Sequence, residues 1–179
     1  CIACYTDEED DVRDFCSQIE LWRDTVGKKC VGVVYNQDDP DYEGIINVIN
    51  TVNDAGAPEY ALVAWVTGAQ AGCEVNASVQ NTRYDGKWEV VCEQSQTELE
   101  DCIEAGQFVF HMAYGDIVVL DDINSLVTTT GTRATTSRAT RLSVWLTRLR
   151  TTLLSCFAPS TLARFPTMPM VVYRCGQTL

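Results

Sequence analysis

The sequence predicts an α+β domain with α/β-like layers: a mixed sheet of about five strands containing one βαβ unit and one β-hairpin, with two or three helices packed on it and disulfides stabilising it. Three observations carry the prediction. An apolar stripe at helical spacing opens the chain, short β-branched runs follow it, and nine cysteines are spread over 179 residues.

Val12, Phe15, Ile19, Trp22 and Val26 recur every three or four residues, with Cys16 on the same side. That spacing predicts a helix from about Glu8 to Val26, stopped by Gly27. Thr6 followed by Glu9 reads as a capping box, and the acidic run DEEDD (7–11) lies where the helix dipole is positive. The runs CVGVVY (30–35) and YALVAWV (60–66) are short and almost continuously apolar, as strands covered on both faces are. Between them Pro40 suits a first helical turn, Ile45, Ile46, Ile49 and Val52 an apolar face, and Gly56 with Pro58 a stop. Strand, helix, strand over this distance is the expected βαβ unit.

From Cys73 to Glu93 apolar and polar residues alternate around Asp85-Gly86, which predicts a hairpin with one wet face. A further helix is expected from about Thr97 to Ala105, capped by Ser95/Glu98 or Thr97/Glu100 and ended by Gly106. FVFHMAY and DIVVL (116–120) then supply one or two last strands.

Charge divides the chain. All 25 acidic residues fall between Asp7 and Asp122 beside six basic ones, a net charge of −19, whereas the last 57 residues carry seven arginines, no lysine and no acid. The expected organisation is an acidic domain (1–122), a Thr-rich linker (123–140) and a basic tail (141–179). In the tail Leu142, Trp145, Leu146, Leu149 and Leu153 form one stripe flanked by Arg141, Arg148 and Arg150. That stripe admits three readings: an amphipathic helix of residues 141–154 on a membrane surface, docking on the acidic domain, or a stretch that is not natural coding sequence.

Composition bounds the function. With a net charge of −12, a nucleic-acid partner is not expected, because binding phosphate needs Lys and Arg. No apolar run is long enough for a transmembrane helix. Cys1, Cys4, Cys16, Cys30, Cys73, Cys92, Cys102, Cys156 and Cys175 are disulfide candidates, one of them left over, and they point to an oxidising compartment. Asn76-Ala77-Ser78 is a glycosylation sequon, with Asn76 on the wet face of the hairpin. The chain begins at Cys1 without a basic segment and apolar core ahead of it, so it reads as a mature form or a fragment.

Catalytic signals are sparse. His111 is the single histidine, set in an apolar run, where a structural role outweighs a catalytic one. Cys1 and Cys4 have zinc-knuckle spacing but no second half, and neither DEEDD nor DDPDYE (38–43) matches a calcium loop, so no metal, cofactor or catalytic residue is assigned. In outline the chain resembles small secreted cysteine-stabilised α/β proteins of the toxin, effector or surface-component kind. The reading is a secreted or cell-surface, extracellular and glycosylated binding or structural module without catalysis, self-assembling or bound to a protein partner. The alternatives are a secreted hydrolase with His111 as base and a small toxin- or effector-like protein.

Overall fold

The computed structural model describes residues 1–128 except 39, 75 and 76. The order is β1 (Ile2–Ala3), α1 (Glu9–Asp24), β2 (Gly32–Tyr35), β3 (Ile45–Val48), α2 (Ala61–Gly72), α3 (Gln96–Glu104), β4 (Gln107–Phe108), β5 (Phe110–Ala113) and β6 (Asp116–Val119). Strands β1-β2-β3-β4 form one parallel sheet in that spatial order, and β5 and β6 form a separate antiparallel pair. The expected mixture of strands and helices with parallel pairing is thus present, with the strands divided between two sheets.

α1 forms where the stripe predicts, burying Val12, Cys16 and Ile19. Its N-cap is Glu8, whose side chain makes no capping bond, so Thr6 and Glu9 are not a capping box; the Thr6 hydroxyl instead accepts from the Glu8 amide at 3.2 Å. The sheet has two apolar faces because successive strand residues point opposite ways. Cys4, Val34 and Ile45 meet α1 on one face, while Val33, Tyr35, Ile46 and Val48 meet Leu62, Val63 and Val66 of α2 on the other.

The predicted βαβ unit over residues 30–66 exchanges its parts. Residues 45–48, expected in the helix, are β3, and the expected strand 60–66 lies at and within the start of α2. All four β3 residues are buried, which a one-sided helical face cannot deliver and a central strand can. The run from Ala61 continues to Gly72, too long for an ordinary strand, and it is rich in alanine and buries Leu62, Val63 and Val66 at helical spacing. A βαβ unit does exist, made from β1, α1 and β2, whose strands pair parallel.

The expected hairpin at 73–93 is replaced by two isolated antiparallel bridges, Val52 to Val90 and Arg83 to Val118. Its buried members, Val79, Tyr84 and Val90, serve the α2-side core from irregular chain. The true hairpin is β5–β6, turning at Tyr114 and Gly115 with φ of 54° and 91°, as a type I′ turn requires. α3 matches the prediction, with Ser95 and Glu98 forming the reciprocal capping box. Gly106 follows with φ of 71°.

Cys1, Cys4, Cys16, Cys30, Cys73, Cys92 and Cys102 are free thiols. The disulfide-stabilised part of the expectation is therefore corrected: Cys4 and Cys16 are small apolar pieces of the α1-side core, held by packing as any buried thiol is. Cys156, Cys175, Asn76 and the tail stripe at 141–154 lie outside the described residues. The described fold runs past the charge boundary, with Ile123, Asn124 and Ser125 all buried.

Candidate functional site

The residues singled out for chemistry do not converge. His111 sits half-buried on β5 opposite Val118, and its Nδ1 is buried with no hydrogen-bond partner among the described residues. A hydrolase base needs a group that orients it, and among the described residues this imidazole has none on that nitrogen. The acidic runs have structural employment. Glu9 and Asp10 pair with Arg13 along α1 at 2.8 and 3.2 Å, Glu43 pairs with Arg23 at 2.8 Å, and the Asp41 carboxylate accepts from the Val127 and Thr128 amides. Among the described residues no cluster of three or more His, Cys, Asp or Glu side chains could hold a metal ion.

The thiols are dampened rather than activated. Burial pushes Cys16 up to about 11, with the nearby Cys4 and Glu20 adding to it, and burial also raises Cys4, Cys92 and Cys102. A thiol with a raised pKa is a poor nucleophile at neutral pH. Trp65 packs against Tyr84 and Phe110 and donates its indole N–H to Asp85 at 2.7 Å, contacts that seat its ring in the fold.

Sequence reasoning missed the buried polar residues that fix the loops. Arg23 is 2% exposed; it donates to the Cys30 carbonyl at 2.7 Å and to Glu43, tying the end of α1 to the chain on either side of β2. Asn47 exchanges two hydrogen bonds with the Gln37 backbone, and Asn50 does the same with Phe110, replacing a ladder pair at the start of β5. The Asp122 carboxylate accepts from Gln70, Ser78 and the Val79 amide. Their sequence signal is weak, since each is one polar residue beside apolar runs.

Two surface features remain. A cleft of about 670 Å³ lies past the end of β2, lined by Asn36, Asp38, Asp41, Gln107, Ser125 and Thr128 among others. The hairpin tip carries Met112 at 63% and Tyr114 at 109% exposure, the most exposed large apolar side chains of the described fold. Its base is braced by the Arg83–Asp116 ion pair at 2.9 Å. Tyr114 adopts a left-handed backbone that bulky residues rarely take, while its ring gains no packing among the described residues. Such an arrangement suits contact with another molecule.

Known proteins resemble this chain over most of its described residues. Residues 2–125 match the family model described as phage tail sheath protein central domain. The phage-like element PBSX protein XkdK of Bacillus subtilis (strain 168) is 37% identical over 122 residues, which cover 65% of this chain and 26% of that protein. The uncharacterized protein YqbK of the same strain is 36% identical over the same length. The sheath tail protein from Desulfitobacterium hafniense superposes with a TM-score of 0.76 at 28% identity, covering 85% of this chain and 37% of that one. The sheath tail protein of Listeria innocua gives 0.72 at 32% identity, covering 81% and 34%. The chain thus spans about a quarter of the length of the curated relatives it matches.

Proposed function

The chain belongs to the phage tail sheath protein family, and on that premise we propose that its described fold is a non-catalytic building unit that contacts copies of itself within a tail sheath. The family overturns the expectation of a secreted or cell-surface, disulfide-stabilised module, together with the extracellular location and the glycoprotein reading. The hydrolase with His111 as base and the toxin or effector likeness fall with it. Contact with copies of itself is the part of the sequence reading that fits a sheath.

The hairpin tip supports the reading most directly. A type I′ turn favours Asn or Gly at its first central position, so Tyr114 costs stability where it stands. Tyrosine is also a residue type that anchors protein interfaces, because it brings a large rigid area at little entropic cost. The matched span ends at residue 125, within a few residues of the charge boundary. We assign the sheath role to the acidic unit, with the basic stretch as an addition to it.

Sedimentation velocity of the full chain over a wide range of concentration tests the proposal. The wild type should associate, and Tyr114→Asn should need about tenfold more protein to do so, the loss of roughly 1.4 kcal/mol at a modest hot spot. The variant should unfold no more easily than the wild type. Association of both proteins to the same degree, or of neither at any concentration, would remove the tip from the argument.

A further inference from the structure

The place where the chain leaves the described fold is fixed. Val127 and Thr128 donate their amides to the Asp41 carboxylate at 2.7 and 2.8 Å, and both residues line the cleft beside Asp38. The sequence then runs on for 51 residues with seven arginines and no acid, after a stretch of net charge −19. Arg133 follows Thr128 by five residues, a reach of at most about 18 Å for extended chain.

We propose that residues 129–150 of the same chain dock at this cleft, with Arg133, Arg138 and Arg141 set against Asp38 and Asp41. Charge complementarity selects the occupant, and the tether makes it effective. A connection of a few residues holds the segment at an effective concentration on the order of millimolar, so exposed ion pairs too weak to capture a free peptide are enough. The cleft volume lies within the roughly 300–1,000 Å³ of a ligand-sized site, room for side chains but not for a folded partner. The inference concerns one chain alone and stands apart from the sheath reading.

The test is timed digestion of the full chain with an arginine-specific protease, the cut bonds being read by mass spectrometry. Wild type, Asp38→Lys and Glu20→Lys are compared; Glu20 lies on α1 and does not line the cleft. The expected result is cleavage after Arg133, Arg138 and Arg141 about tenfold slower in wild type and Glu20→Lys than in Asp38→Lys, at any protein concentration. The protection should vanish in wild type as salt shortens the Debye length from about 10 Å at 0.1 M to about 3 Å at 1 M. This salt arm needs no variant, so misfolding of Asp38→Lys would not spare the proposal. Equal rates in all three proteins would overturn it. So would protection that grows with protein concentration, which means a second copy, or protection that appears only with anionic phospholipid vesicles, which means a membrane surface.

Discussion

Replacing Gly106 by alanine tests how the last described segment is seated. Gly106 ends α3 at φ of 71°, and a Cβ built there would stand 3.1 Å from the Ser125 carbonyl carbon, Cα and oxygen. Gly115 in the β5–β6 turn has φ of 91° and nothing within 4 Å of its Cβ position. Both alanines meet the left-handed penalty of roughly 1–2 kcal/mol, less about 0.4–1 kcal/mol from the stiffer unfolded chain, a net cost near 1 kcal/mol. Only Gly106→Ala also drives a methyl into backbone. Ser125 has little room to yield, because its amide donates to the Ile45 carbonyl at 2.9 Å and its hydroxyl to the Tyr42 carbonyl at 3.0 Å. Overpacking adds about 1–3 kcal/mol, so the expected cost is about 2–4 kcal/mol against about 1 kcal/mol for Gly115→Ala. Urea unfolding followed by tryptophan fluorescence, with linear extrapolation to water, measures both. Equal losses would refute the close packing of Ser125 on the end of α3.

Arg23→Met should cost about 2–3 kcal/mol in the same assay, because the stem's packing is kept while the Cys30 carbonyl loses its donor; Glu43, 37% exposed, can rehydrate. A loss under about 0.5 kcal/mol would mean that the guanidinium holds nothing in place. The Asp41 carboxyl is held below its usual range by hydrogen bonds from Thr128 and Val127. Its contribution is therefore complete above the unfolded value near pH 4 and lost as pH falls through the lower folded value. Amide exchange at Val127 and Thr128, corrected for intrinsic rates, should accelerate on acidification in wild type but not in Asp41→Asn. For the thiols, Cys1, Cys4, Cys16, Cys30, Cys73, Cys92 and Cys102 should all react with alkylating reagent in denaturant without reductant, and in the native protein Cys1 should react well before Cys16. Fewer than seven modified sites in that span would reinstate a cross-link.

How much of the fold could be read from the sequence depended on how one-sided each segment is. α1 and α3 each show one apolar face and carry local stop signals, Gly27 and Gly106, so their boundaries were legible within a residue or two. Residues 45–48 and 61–72 are buried on more than one side, and there periodicity loses its power to tell helix from strand. Alternation at 73–93 was real in sequence but had no partner strand at the right place among the described residues, since Val90 bridges to Val52 instead. Cysteine count misled because a buried thiol and half a disulfide look alike in a sequence. The hairpin tip was written as Tyr-Gly, not the Asn-Gly of the usual signal, so the surface that now supports the functional reading gave no local warning.

The parallel sheet has one consequence for how the chain folds. β1, β2 and β3 all lie within the first 48 residues, whereas β4 joins β3 by pairing Asn47 with Gln107 and Val48 with Phe108. The first three strands and α1 close short loops and can gather as a nucleus while the rest is still unformed. β4 must bring its end across a span of about 60 residues, an entropic cost recovered only when Phe108 enters the core. Its two residues therefore act as a late clasp, and damage to them should show chiefly as faster unfolding, with the rate of folding little changed.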